Sequence, residues 1–175
     1  MESADAGPPR YEVAVESAYL LGIFGNPHAY EVNANFLTAR WRCGDFTEQP
    51  GFWKGYNQIY LSAEAQPIIR GIENRYFGIN LGLRYNFVRA NWRLVPYISG
   101  GLGLGFIDSN ADGFGSQGQD FTFNILGSAG LSYRITPHAS VQAGLLYEHF
   151  SNAGLSDPNP SLNLLGPQVG CTLSF

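Results

Sequence analysis

Hydrophobic and polar residues alternate through most of the chain with the period of two that is typical of β-strands. The alternation is unbroken from Phe77 to Phe87, where apolar side chains take every second position and Gly, Asn and Arg lie between them. Successive residues of a strand point to opposite faces. This segment therefore predicts a strand with one apolar face, and similar segments elsewhere are separated by Gly, Pro, Asn and Asp clusters that favour turns.

We predict eight strands, which make a single domain over residues 11–175 after a polar, flexible tail at 1–10. Within the second strand the apolar parity changes between Phe36 and Leu37, where we expect a β-bulge. The connections at 66–74, 108–120 and 152–161 are predicted to be long, and those at 89–92 and 136–138 short. The predicted strands lie at about 11–23, 30–42, 53–65, 77–87, 94–106, 121–135, 139–151 and 163–175.

The face opposite the apolar row decides the class of all-β protein. A soluble lipocalin-like barrel buries its apolar row and exposes many Lys and Glu, whereas a membrane barrel turns the apolar row to lipid. Here the opposite face is mainly Gly, Ser and Asn, which fit a narrow interior. We predict an eight-stranded antiparallel up-and-down transmembrane β-barrel, with a soluble carrier as an alternative. A few charged residues would form an interior ion-pair network: Glu12, Glu16, Arg84, Arg134 and Glu148.

Composition supports the membrane class and excludes others. Only 14% of the residues are charged, against about a quarter in soluble domains. The net charge of −4, without a basic stripe, excludes nucleic acid as a partner. Cys43 and Cys171 are isolated and predict no metal site. Residues 1–10 lack the basic start and apolar core of a signal peptide, so we expect either a processed start or a chain that is not exported.

The strand at 139–151 carries candidate chemistry. His149 and Ser151 share its apolar face, about two residues apart along the strand. A histidine beside a serine is the minimum for a hydroxyl nucleophile activated by a base. If the following strand pairs so that Ser151 faces Ser161, then Asn163 faces His149 and takes the third position of a triad. Both residues lie at the long-loop end of the strand, so we expect them near the outer leaflet.

The run from His149 to Asn159 reads HFSNAGLSDPN. In its place near the end of an eight-stranded barrel, it resembles the lipid A 3-O-deacylase (PagL) family of outer-membrane esterases. Segments 83–87, 96–104 and 121–124 are similar to strands of that family, and the resemblance covers roughly residues 53–175. It implies a bacterial outer-membrane enzyme that hydrolyses the ester-linked 3-O acyl chain of lipid A without a cofactor, with its active site facing the outer leaflet.

The resemblance also implies residue roles. Ser151 would be the nucleophile and His149 the general base, while Asn152 and Gly154, in the following loop, would stabilise the oxyanion. The family usually has a Glu where this chain has Asn163, which can accept the imidazole N–H but offers no charge. Asp157 is a loop acid within reach of the dyad.

A different class of function stays open. The chain fits a non-catalytic barrel that kept the motif, lost the carboxylate, and has a structural or binding role in the envelope. The partners expected from the resemblance are lipid A or lipopolysaccharide in the membrane, and a homodimer or a larger envelope assembly is a further alternative. Replacement of Asn163 by Glu separates the two classes, because it is expected to increase hydrolysis only if the dyad is competent.

Overall fold

The computed structural model describes residues 10–26, 29–44, 53–88, 93–110 and 114–175. It is a closed barrel in which each of eight antiparallel strands pairs with its neighbours in the chain, and the last strand pairs with the first. The predicted fold class is confirmed. Apart from Arg10, the predicted tail at 1–10 lies outside the described residues. The strands are β1 Tyr11–Gly22, β2 Glu31–Cys43, β3 Gly55–Arg70, β4 Arg75–Phe87, β5 Leu94–Ile107, β6 Phe121–Thr136, β7 Ala139–Ser151 and β8 Leu162–Ser174.

Away from the loop-side end of β2 and β8, the apolar row of the strands lies on the outside of the barrel. In β4, Leu81 and Leu83 are 58% and 60% exposed, whereas Asn80 and Arg84 on the other face are buried. This is the arrangement of a membrane barrel, and it is the reverse of a soluble lipocalin-like carrier. The part of the chain that the structure describes contains no helix long and apolar enough to cross a membrane.

The interior has an apolar zone near the end of the barrel where β1 ends and β2 begins. This zone explains the change of parity in β2, for which a bulge was predicted. The β1–β2 register runs unbroken past Phe36 and Leu37, so the bulge predicted there is wrong, and the irregularity lies instead between Glu31 and Val32. The parity changed because the interior side chains of β2 change from apolar to polar along the strand. The apolar zone contains Ala18, Leu20, Tyr30, Val32, Ala34, Phe36, Tyr76, Ile107, Leu126, Leu146, Phe150, Leu162 and Leu164.

The other half of the interior holds ion pairs. Nη2 of Arg40 lies 2.6 Å from Oε1 of Glu16, and its Nη1 lies 3.8 Å from Oε2 of Glu12. The prediction that Glu12 and Glu16 form interior ion pairs is confirmed, although their partner is Arg40, which was not in the predicted network. The Thr38 hydroxyl donates to the second oxygen of Glu16 at 2.7 Å. The Glu16 carboxylate is therefore fully engaged inside the barrel.

The rest of the predicted ion-pair network differs. Arg84 donates to the amide oxygens of Asn86 and Gln142, both at 3.0 Å, and its guanidinium lies 3.6 Å from the centre of the Tyr97 ring. Glu148 is fully buried and accepts hydrogen bonds from Gln66 and Asn124. Buried polar groups are stable when they are hydrogen-bonded, and amides held by the surrounding strands supply these bonds. For Arg84 and Glu148, side-chain amides thus take the place that was predicted for opposite charges.

Replacement of Arg40 by Met is expected to destabilise the barrel by about 3 kcal/mol, because it leaves the buried Glu16 charge without a cation. Urea titration in detergent micelles, read from gel migration of the folded band, measures the change. The matched control is Arg70→Met, which removes an exposed arginine that lies 3.5 Å from Glu31, and it should cost less than about 1 kcal/mol. Equal losses in both variants would contradict the interior role of Arg40.

The third strand is longer than predicted. β3 continues to Arg70, so the predicted connection at 66–74 is wrong and only 71–74 link it to β4. Pro67 lies within the β3–β4 ladder, which continues with the Ile68 N–H donating to the Asn74 carbonyl at 2.8 Å. A proline removes only its own donor, so one near the end of a strand does not stop pairing. We call the end of the barrel with connections 23–30, 71–74, 108–120 and 152–161 the loop end.

Candidate active site

His149 and Ser151 lie on the outer surface at the loop end of β7. Their neighbours Glu148 and Phe150 point into the barrel and are buried, while His149 and Ser151 are partly exposed. They share the outer face with an exposed apolar row that includes Leu145. The structure thus places the two residues side by side on the face that the apolar pattern assigns to the membrane.

The pairing of β7 with β8 brings Asn163 to His149. The two residues are direct partners in the ladder, and imidazole Nδ1 lies 2.9 Å from the Asn163 side-chain oxygen. Ser161 lies outside β8, which begins at Leu162. Because the amide oxygen can only accept, Nδ1 carries the proton and Nε2 of the neutral ring is free to accept one. This is the tautomer that a general base for a serine nucleophile requires.

The orientation of the Asn163 amide is fixed by the β1–β2 connection. Its Nδ2 donates to the Phe24 carbonyl at 3.0 Å, so its oxygen must point towards His149. Its backbone N–H donates to the Asn26 side-chain oxygen at 2.6 Å, and the Asn26 Nδ2 returns a bond to the Asn163 carbonyl at 3.1 Å. A carboxylate at position 163 could not make the bond to Phe24. Sequence reasoning missed Phe24 and Asn26, for which no motif exists.

Tyr147 is a further contact that the sequence pattern did not single out. It precedes His149 by two residues on the same face, and its hydroxyl donates to the same Asn163 oxygen at 2.8 Å. The oxygen therefore accepts from both the imidazole and the phenol. Tyrosines with an apolar ring and a hydrogen-bonded hydroxyl are common at membrane interfaces. Here the hydroxyl also helps to fix the group that orients His149.

Asn152 organises the loop that follows the dyad. Its side chain is fully buried, and its Nδ2 donates to the carbonyls of Ser156 at 2.8 Å and Pro158 at 3.1 Å. Its Oδ1 accepts the Gly154 N–H at 2.9 Å, and its backbone N–H donates to the side chain of Asn159 at 2.8 Å. In this conformation the N–H groups of Asn152 and Gly154, the two predicted oxyanion residues, all hold the loop.

The backbone of this loop is unusual just after the serine. Ala153 and Gly154 have φ angles of 55° and 74°. Positive φ is open to glycine but costs an alanine about 1 kcal/mol. The Asn152 side chain holds Gly154 and, on the other side, Ser156 and Pro158, so it supports this turn. The segment beside Ser151 is therefore held in one shape by its own contacts.

The other candidate side chains, those of Ser151 and Asp157, make no hydrogen bond to His149 in this structure. Among the described residues, the Ser151 hydroxyl has no hydrogen-bond partner, so the Ser–His bond is not formed in this structure. Such bonds are often long or absent without substrate. Within the same described ranges, the Asp157 side chain makes no hydrogen bond or ion pair, including with His149. No group of three His, Cys, Asp or Glu side chains that could hold a metal occurs in the described part of the chain.

Comparisons with known proteins identify relatives. The family model of lipid A 3-O-deacylase (PagL) matches residues 28–172. The curated lipid A deacylase PagL of Bordetella bronchiseptica is 38% identical over 79 residues, which are 45% of this chain and 41% of that protein. The match thus spans about two fifths of the length of that relative.

Solved structures with the same architecture include barrels of several kinds, at identities that show the fold alone. The outer membrane enzyme PagL has a TM-score of 0.64 at 18% identity, covering 91% of this chain and 97% of that one. Neisserial surface protein A has a TM-score of 0.70 at 15% identity, covering 97% and 100%. The N-terminal β-barrel domain of Pseudomonas aeruginosa OprF has a TM-score of 0.62 at 17% identity, again covering 97% and 100%.

The sequence match decides the family. It extends from residue 28 to residue 172, which is from just before β2 to near the end of β8, and it includes His149, Ser151 and the 152–161 loop. The fold agrees with that of outer-membrane barrels. On these grounds the chain belongs to the lipid A 3-O-deacylase (PagL) family and is an outer-membrane β-barrel.

Proposed function

We propose that this barrel is a serine esterase that removes the ester-linked 3-O acyl chain of lipid A, with its active site facing the outer leaflet. The observation that carries the proposal is the bond from His149 Nδ1 to Asn163, which leaves Nε2 free on the face where Ser151 lies. Family membership supplies the substrate class. Because the dyad is on the outside of the barrel, a lipid could reach it from the membrane without being extracted.

The reaction would proceed through an acyl-serine. Ser151 Oγ attacks the ester carbonyl as His149 Nε2 takes the hydroxyl proton, and the same nitrogen then protonates the departing sugar oxygen. Water, deprotonated by His149 Nε2, attacks the acyl-serine carbonyl. The bond from that carbonyl to Ser151 Oγ then breaks, Oγ takes the proton back from His149, and the fatty acid leaves. The acyl chain would lie along the apolar outer face of β7, where Val141 and Leu145 are exposed. In both half-reactions the transferred proton passes through Nε2 of the imidazole that Asn163 orients.

In the proposed mechanism, Asn152 and Gly154 stabilise the oxyanion that forms on the ester carbonyl. In the present conformation the Gly154 N–H is bonded to the Asn152 side-chain oxygen. A substrate oxyanion would replace that oxygen as the acceptor, while the remaining bonds of Asn152 keep the loop in place. Backbone donors aimed at a developing oxyanion contribute roughly 3 kcal/mol in serine hydrolases. A homodimer or larger assembly stays a prediction that this mechanism does not require.

The replacement of Asn163 by Glu tests whether His149 and Ser151 are catalytically competent. Asn163 supplies a neutral acceptor, so it orients the imidazole but stabilises the imidazolium only through its dipole. A carboxylate accepting the same N–H would add a charge-assisted bond, and we expect kcat to rise up to about tenfold. The gain is limited because Glu loses the bond from position 163 to the Phe24 carbonyl. Release of fatty acid from purified lipopolysaccharide measures it.

The matched variant is Asn163→Leu, which removes the acceptor and should lower kcat about a hundredfold, because the wrong tautomer becomes accessible. A folded barrel that is inert as wild type and inert as Asn163→Glu would contradict the esterase. It would favour the non-catalytic alternative, for which the engagement of every Asn152 N–H within the loop is the supporting observation.

A further inference from the structure

A single buried carboxylate joins three connections at the loop end. Glu73, in the 71–74 connection, is only 2% exposed. Its Oε2 accepts a hydrogen bond of 2.6 Å from the hydroxyl of Tyr30, which belongs to the 23–30 connection. Its Oε1 accepts hydrogen bonds from the Ser116 hydroxyl, at 2.9 Å, and from the Gln117 backbone N–H, at 3.3 Å. Both of these residues belong to the 108–120 connection. All three partners of this acid are thus neutral donors from other parts of the chain.

The segment that Glu73 holds is in turn bonded to the loop beside the dyad. The Gln117 side-chain N–H donates to the Pro160 carbonyl at 2.5 Å, and the Gly118 N–H donates to the Pro158 carbonyl at 2.7 Å. The Ser156 hydroxyl returns a bond to the Gly118 carbonyl at 3.0 Å. The backbones approach closely, since a Cβ at Gly118 would lie 2.4 Å from the Asp157 carbonyl oxygen.

These contacts reach the residue next to the proposed nucleophile. The carbonyl of Pro158 accepts from both the Gly118 N–H and the Asn152 side chain. The Ser156 carbonyl is the other acceptor of that side chain, and Asn152 directly follows Ser151 in the chain. A continuous series of hydrogen bonds and short backbone links therefore runs from Glu73 through 116–118 to Asn152.

Burial of an acid needs a reason, because an isolated buried carboxylate is costly and its hydrogen bonds only compensate for that cost. Apolar residues could close this end of the barrel more cheaply, as they do around Ile107 and Leu162 just below. A side chain that ends in two polar atoms can hold one group from 23–30 and two donors from 108–120 together, which an apolar side chain cannot do. Burial and the bond to Glu73 raise the pKa of Tyr30 well above its usual value, so its hydroxyl stays a donor at neutral pH.

We infer that Glu73 is a positioning residue: it fixes segment 116–118, and through that segment it holds the 152–161 loop in the conformation that places Asn152 and Gly154 beside Ser151. The inference rests on the proposed esterase for its effect on rate. The conformation of the loop, however, can be measured without any activity.

The test compares Glu73→Ala with Glu73→Gln in the full-length barrel. The alanine variant is expected to lower kcat about 30-fold, because misplaced catalytic groups cost up to about a hundredfold. KM should stay within about threefold, since the apolar face of β7 is unchanged. Gln should recover kcat to within about threefold of wild type. Its oxygen can accept from Ser116 and Gln117, and its amide can donate to the Tyr30 oxygen.

Hydrogen exchange provides the readout that does not depend on catalysis. Amides of Asn152 and Gly154, both bonded within the loop, should exchange at least about tenfold faster in Glu73→Ala and at wild-type rates in Glu73→Gln. Glu31→Gln is the control. Glu31 is a carboxylate at the same end that bonds Tyr19 and Arg70, so its replacement should alter neither rate nor exchange.

Unchanged exchange in the 152–161 loop of Glu73→Ala would overturn the inference, and so would a Gln variant as impaired as the Ala variant. An equal loss in Glu31→Gln would also overturn it, because the effect would then be general to the loop end. If wild type hydrolyses no lipid A, the proposed function fails. The exchange of Asn152 and Gly154 in the two Glu73 variants then still decides whether Glu73 positions the loop.

Discussion

Replacement of Ser151 by Ala is expected to lower kcat for ester hydrolysis by at least about a thousandfold. The variant removes Oγ, the proposed nucleophile, while His149 and Asn163 keep their bond. A residual rate should remain, because the loop donors and substrate binding still act on attack by water. Because the Ser151 hydroxyl bonds none of the described residues, its loss should leave the stability of the barrel unchanged.

Fatty-acid release from a micellar ester by the detergent-purified barrel measures this effect. Ser140→Ala is the matched control, since Ser140 lies on the same strand β7 near its opposite end, where it faces Thr172 in the ladder. It should retain the wild-type rate. A Ser151→Ala variant that folds and keeps more than about a tenth of the wild-type rate would mean that another group is the nucleophile.

Replacement of His149 by Ala should be about as damaging as the loss of Ser151, again about a thousandfold in kcat. Without the imidazole the serine loses its proposed base. Among the described residues, the Asn163 side chain then keeps the Tyr147 hydroxyl and the Phe24 carbonyl as partners. Because the two residues act as one unit, the double variant should be no slower than either single variant. The rate of the same ester assay, compared across the three variants, measures this.

His138→Ala is the matched control for the histidine. His138 lies in the turn between β6 and β7 at the opposite end of the barrel, where its Nδ1 is 3.2 Å from the Ser174 carbonyl. Its loss should leave the rate unchanged. Losses at His149 and Ser151 that multiply in the double variant would show that the two side chains act independently, which would contradict a dyad.

The sequence could predict the face and the pairing of the dyad. In β7 the period of two decides that His149 and Ser151 point outward, and the short turn before that strand fixes its start. The β7–β8 pairing then puts Asn163 opposite His149. These features depend on residues close in the chain, for which alternation and turn chemistry are sufficient.

Features that depend on distant contacts could not be predicted. The direction of the Asn163 amide is decided by the Phe24 carbonyl, 139 residues away in the chain. Whether the donors of Asn152 are free depends on how the loop closes on Ser156 and Pro158. The role of Glu73 requires three connections to meet. No periodicity or motif contains such information.

Two errors in the strand predictions have a common cause. The change of parity between Phe36 and Leu37 predicted a bulge, and residues 66–74 were predicted to form a loop. Both predictions took the interior to be lined by small and polar side chains along its whole length. In the structure, the loop end of the interior has an apolar zone and β3 continues to Arg70. Near the loop end the interior side chains are apolar, as in the core of a soluble protein, and the alternation typical of a membrane barrel no longer holds.

The fold does not determine the function. Solved structures with TM-scores of 0.64, 0.70 and 0.62 to this chain include an enzyme, a surface protein and a barrel domain of OprF. The esterase proposal depends instead on the site, where His149 has the required tautomer and Ser151 lies beside it on the membrane face. Hydrolysis of an ester at this surface is therefore the property to measure.

Mass spectrometry of lipid A after incubation with the detergent-purified barrel, wild type beside Ser151→Ala, tests the esterase most directly. We expect the wild type to remove one 3-O-linked hydroxyacyl chain and the Ser151→Ala variant to leave lipid A intact. Heat-modifiable gel migration confirms that both proteins are folded. Lipid A that is unchanged by both folded proteins, or shortened equally by both, would contradict a serine esterase centred on Ser151.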